Sequence, residues 1–125
     1  MPLKKTIERF IEAVENDPHD QVIERFYTID ASIQENQNPP RIGLENLVAY
    51  ERNILNKASF VSSKYQKPFF QIEDKVVILW NFKFEWKDGT ISEINEIAYQ
   101  KWKGEKIYQE QFYYDPKQFM PSKKN

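Results

Sequence analysis

Glu51, Glu93, Asn95 and Glu110 are polar side chains that the local pattern of the chain turns toward apolar surroundings. In the segment 44–58 the apolar residues Leu44, Leu47, Val48, Ile54, Leu55 and Ala58 recur at helical spacing, and Glu51 falls in the middle of their stripe. A carboxylate there loses hydration on folding, so it must be paired, protonated or functional. A Glu base beside an Asn or Tyr donor is the equipment of general acid–base chemistry. The alternative is a buried carboxylate satisfied by a Tyr, Arg or backbone donor.

The other three owe their placement to strand alternation. Trp80, Phe82, Phe84 and Trp86 alternate with Asn81, Lys83 and Glu85, so the aromatics share one strand face. Asp88-Gly89 reads as a two-residue hairpin turn that pairs Trp86 with Ile91, Phe84 with Glu93, Phe82 with Asn95, Trp80 with Ile97 and Ile78 with Tyr99. With Gly104-Glu105 as the next turn, Tyr99 meets Glu110, Ile97 meets Phe112 and Asn95 meets Tyr114. The predicted inward face is therefore Trp80, Phe82, Asn95, Ile97, Tyr99, Glu110, Phe112 and Tyr114, a greasy wall with polar groups set into it. Glu93 lies near the hairpin tip, at the rim. The opposite face is mostly polar but carries Ile94, Ala98, Trp102 and Tyr113, a patch that predicts a homodimer through that side.

Helices precede this all-strand half. Leu3, Ile7, Phe10, Ile11 and Val14 mark an amphipathic helix ending near Asn16, and Asp17-Pro18 reads as N-cap and first position of a short second helix burying Val22, Ile23 and Phe26. A short strand over about 31–35 and a proline-containing loop over 36–40 lead to the third helix, about 44–57. Strands follow over about 60–72, interrupted by Pro68, then 76–86, 91–103 and 107–114, an antiparallel meander. One domain over residues 1–120 is expected, with 121–125 a polar, frayed tail.

Composition excludes several classes. A formal charge of −1 and a pI near 5.9 offer no basic field for nucleic acid. With no cysteine and the single histidine His19, disulfides, thiolate chemistry and the usual zinc or iron ligand sets are absent. Three glycines do not build a phosphate-cradling loop, so no cofactor is expected. No apolar run suits a signal peptide or a membrane span, and a cytoplasmic protein is the expectation. His19 reads as a partly buried histidine at a helix start, and Ser62 and Ser63 have no histidine near them in sequence.

The order of elements, with Arg9-Phe10-Ile11-Glu12-Ala13-Val14-Glu15, the run 27–35, Arg41-Ile42-Gly43-Leu44-Glu45 and Phe112-Tyr113-Tyr114-Asp115-Pro116, resembles the nuclear transport factor 2-like superfamily. The closest resemblance is to its SnoaL-like polyketide cyclase and ketosteroid isomerase branches. It implies an α+β, cystatin-like cone in which a curved antiparallel sheet wraps three N-terminal helices, leaves a pocket, and commonly forms a homodimer. In the isomerases, which serve as a worked case of carboxyl tuning, a carboxylate after the first short strand is the base. Glu35 sits at that place. The isomerases' helix-one tyrosine is replaced by Phe10, and their sheet acid corresponds to Asn95 or Ile97, depending on hairpin length. Steroid isomerisation is thus not expected. The resemblance and the pattern together imply a binder of a small apolar ligand carrying a carbonyl or hydroxyl, acting as an isomerase, cyclase or hydratase. Candidate catalytic residues are Glu35, Glu51, Asn95 and Glu110, with Phe10, Trp80, Phe82, Tyr99, Phe112 and Tyr114 around the ligand. The alternative is a non-enzymatic dimeric binding or assembly module.

Overall fold

The computed structural model describes residues 1–123. Helices α1 (Lys4–Asn16) and α2 (His19–Phe26) lead into strands β1 (Tyr27–Glu35) and β2 (Arg41–Ile42) and helix α3 (Leu44–Lys57). Strands β3 (Ala58–Ile72), β4 (Lys75–Trp86), β5 (Thr90–Lys103) and β6 (Lys106–Tyr113) follow, then a single helical turn α4 (Pro116–Phe119) and the short strand β7 (Ser122–Lys123). The meander β3 to β6 is antiparallel, β1 joins β6 in parallel, and the sheet order is β2-β1-β6-β5-β4-β3. The sheet is curved and unclosed, and its inner face packs on the helices. Ile7, Phe10, Val14, Val22, Leu47 and Val48 from the helices meet Ile78, Trp80, Ile94, Ala98 and Trp102 from the sheet in one core.

The inward face of β4 follows the alternation of the sequence, whereas β5 presents the opposite face to the one expected. Glu85 pairs with Ile91, Phe84 with Ser92, Phe82 with Ile94, Trp80 with Glu96 and Ile78 with Ala98. The cause is the turn. Gly89 stands at φ +88° and its N–H reaches the Trp86 carbonyl at 3.0 Å, so three residues, 87–89, form the loop in place of two. A one-residue slip turns every side chain of the strand over. Between β5 and β6 the two-residue turn is as expected, Lys103 opposite Lys106, but Trp102 pairs with Ile107 and Lys101 with Gln109. The extra residue, Tyr108, is a bulge that slips the register once more, and Glu110 lies opposite Gln100.

Glu93, Asn95, Ile97 and Tyr99 therefore stand on the outer face. Asn81 Nδ2 donates to Asn95 Oδ1 at 3.0 Å and to Glu93 Oε2 at 3.1 Å across that face. The patch expected to carry a dimer is also overturned, because Ile94, Ala98 and Trp102 are core residues, Trp102 only 1% exposed. Two smaller expectations change. Pro18 occupies the cap position of α2, while Asp17 accepts from Arg25 at 2.7 Å. In the segment expected to fray, Ser122 and Lys123 pair with Ile91 and Thr90, and Lys124 and Asn125 lie outside the described residues.

Candidate functional site

A cavity of about 100 Å³ opens between the three helices and the inner sheet face. Phe10, Tyr27, Trp80, Phe82 and Phe112 are among its walls, and Glu35, Arg41, Glu51, Glu96 and Glu110 bring charge to it. A dry cavity of about 150 Å³ holds a benzene ring, so a compact ligand with a handful of heavy atoms fits here.

Glu110 forms the floor. β6 carries it inward opposite Gln100, and it is 3% exposed. Tyr27, arriving at the start of β1, donates its hydroxyl to one carboxyl oxygen, and Gln100 Nε2 donates to the other at 2.7 Å. Gln100 Oε1 in turn accepts from the Trp102 indole at 3.0 Å. Burial raises the Glu110 pKa to about 7, although both hydrogen bonds and the partial charge of His19 favour its ionised form. The same burial, together with the facing carboxylate, holds the Tyr27 hydroxyl well above its ordinary value.

Glu96, opposite Trp80 on β4, points into the cavity and has no hydrogen bond or ion pair among the described residues. Burial, then the like charges of Glu35, Glu110 and Glu51, push its pKa up to about 8. It is a neutral acid at pH 7. Glu96 is not among the residues that the sequence pattern turns inward, because the three-residue turn is what brings it inside.

At the partly exposed end, Glu35 at the end of β1 accepts from Arg41 Nη1 at 2.6 Å and from the Tyr114 hydroxyl at 2.7 Å. The Arg41 guanidinium lies 3.6 Å from the Tyr50 ring centroid, and its Nε is buried without a partner. Burial raises the Tyr114 and Tyr50 hydroxyls above their usual range, with Glu35 adding to both. An orphaned buried N–H needs an explanation, and a ligand oxygen supplies one.

Glu51 reaches the cavity from α3, as the stripe of that helix requires, and its Oε1 lies 3.4 Å from His19 Nδ1. The other ring nitrogen, Nε2, lies 2.8 Å from Ser63 Oγ on β3. Of the residues singled out in the sequence, Phe10, Glu35, Glu51, Trp80, Phe82, Glu110 and Phe112 line the cavity, and Tyr114 touches it through Glu35. Asn95 and Tyr99 do not line it. Among the described residues no cluster of three or more His, Cys, Asp or Glu could hold a metal ion, and no helix is long and apolar enough to cross a membrane.

No family model and no curated protein matches the chain by sequence. Solved structures do match by shape. A hypothetical protein with a ketosteroid isomerase-like fold from Catenulispora acidiphila, in complex with trimethylamine, has 14% identity and a TM-score of 0.77 over 93% of this chain and 89% of its own. A protein from Jannaschia described as a SnoaL-like polyketide cyclase has 9% identity and a TM-score of 0.76 over 93% and 90%. TerC, co-crystallized with polyporic acid, has 11% identity and a TM-score of 0.75 over 92% of each chain. Proteins described as NTF2-like match as well. A curved, unclosed sheet packed on helices is thus the fold that this chain shares with the ketosteroid isomerase-like, SnoaL-like and NTF2-like proteins.

Proposed function

We propose that the protein binds a compact molecule bearing a carbonyl or hydroxyl in this cavity and moves a proton on it. The observation that carries the reading is Glu96, a partnerless carboxyl in an aromatic cavity with a pKa of about 8. A carboxylic acid held neutral at pH 7 donates a hydrogen bond to a developing oxyanion, and such preorganised donors contribute a large part of catalysis. Arg41 Nε offers a second N–H. Glu35, oriented by Arg41 and Tyr114, is the group placed to accept a proton from carbon or water. Glu110 serves differently: it is 3% exposed, against 20% for the Glu35 side chain, and Tyr27 and Gln100 hold it in place, so it fixes the floor of the cavity. A base paired with an oxyanion donor serves isomerisation, cyclisation or hydration of a carbonyl compound. Fold neighbours with trimethylamine and polyporic acid are in keeping with small-molecule binding. The homodimer stays part of the proposal, moved to the exposed Ile97 and Tyr113 of the outer sheet face.

The test is ligand-observed NMR with ring-sized ketones, enols and alcohols, together with native mass spectrometry for a co-purified molecule. Binding should be lost or weakened at least tenfold in Glu96→Ala. A set of ligands bound equally well by both proteins would refute the assignment.

A further inference from the structure

Glu51 and His19, which line the main cavity, form a chain with Ser63, which does not. With the ring proton on Nδ1, facing Glu51 at 3.4 Å, His19 Nε2 is the acceptor for the Ser63 hydroxyl at 2.8 Å. The Phe82 ring stands edge-on to the imidazole, centroids 5.6 Å apart, and limits its rotation. A base facing a carboxylate and hydrogen-bonded to a hydroxyl has the layout that activates serine, recognised by geometry and not by sequence order. The serine and histidine open onto a second cleft, of about 410 Å³, separate from the floor at Glu110 and lined in part by Leu55, Ala58, Phe60 and Val61.

The sheet supplies one more piece. β3 is an edge strand, and the Tyr65 N–H leaves the sheet to donate to Glu15 at 3.0 Å. Backbone N–H groups alternate in direction along a strand, so the Ser63 N–H, two residues away, also points off the free edge. It is a donor for an oxyanion formed at Ser63.

We propose that Ser63 is a nucleophile in this second cleft, with His19 as general base and Glu51 as positioning residue, acting on short neutral acyl esters. Ser63 Oγ attacks the ester carbonyl and passes its proton to His19 Nε2. The carbon–oxygen bond to the alcohol breaks, and the alcohol leaves with that proton. Water then attacks the acyl-serine, giving one proton to His19 Nε2; the bond from the acyl carbon to Ser63 Oγ breaks, His19 returns the proton to Oγ, and the carboxylic acid departs. The net reaction is ester plus water to acid plus alcohol. Apolar lining selects an acyl chain, and the nearby acidic side chains Glu15 and Asp17 disfavour anionic esters.

The experiment has two arms. A fluorophosphonate probe, digested and mapped by mass spectrometry, should modify Ser63. p-Nitrophenyl butyrate hydrolysis should fall by about 10²- to 10⁴-fold in Ser63→Ala and in His19→Gln. Glu51→Gln should shift the pH profile of turnover while leaving the melting curve intact, which a merely structural carboxylate would not do. Ser62→Ala, on the opposite face of the same strand, should match the wild type. Labelling confined to other residues, or turnover that survives Ser63→Ala, overturns the proposal. Labelling needs no variant, so a misfolded Ser63→Ala would not protect it.

Discussion

Replacing Glu96 by Gln tests the reading of the cavity through stability alone. The carboxyl moves from an ordinary value of 4.5 to about 8 in the folded chain. A raised carboxyl pKa means that the native state binds a proton which the unfolded chain has released, so stability is full below about pH 4.5. It then declines with rising pH and is lost once pH passes about 8. At about 1.4 kcal/mol per pKa unit the shift corresponds to an upper limit of about 5 kcal/mol. Partial exposure reduces it, leaving about 2–4 kcal/mol. Gln is nearly isosteric and never ionises. Glu96→Gln should therefore melt close to the wild type at pH 5 and distinctly higher at pH 9, by about 3–4 °C for each kcal/mol in a chain of this size. Thermal melts followed by circular dichroism across pH 5–9 measure this. A difference between the two proteins that stays constant over that range would refute the claim that Glu96 is desolvated and neutral.

Tyr27→Phe removes one donor from Glu110 and should destabilise by about 1–3 kcal/mol. Since the Tyr27 hydrogen bond favours the charged form of Glu110, the loss should be larger in urea melts at pH 9 than at pH 6. On the outer face, Ile97 is 45% exposed and lies opposite Tyr113, itself 38% exposed. Sedimentation at micromolar concentration should give a dimer for the wild type and a monomer for Ile97→Lys, with the fold intact in both.

What could be read in the sequence follows from how local each signal is. The span of α3 and the inward placement of Glu51 depend on one helical period, which fourteen residues define well. The inner faces of β4 and β6 follow from alternation within each strand, and Trp80, Phe82, Glu110 and Phe112 all line the cavity. The face of β5 depends on the length of a turn. Asp88-Gly89 is compatible with a two-residue loop and with a three-residue loop that uses Gly89 at positive φ, and the two differ by one residue of register. That residue exchanges Asn95 for Glu96. The bulge at Tyr108 has no compositional mark, and the meeting of His19 with Ser63 joins positions 44 residues apart. Both arise only when the sheet bends over the helices.

The edge strand β3 has a consequence for the solution behaviour of the molecule. The free side of this fifteen-residue strand, whose other side pairs with β4, would be a template for strand addition between copies. Here the edge is interrupted by Pro68, where the register with β4 shifts, and Lys64 and Lys67 place charge along it. At Tyr65 the guard is Glu15, a residue of α1. Resistance to aggregation in this fold thus depends on a helix remaining docked. A fluctuation that lifts α1 while leaving the sheet whole would expose a long, ready-made pairing edge and the apolar side chains of α1 together, a sticky state reached by local opening and not by global unfolding.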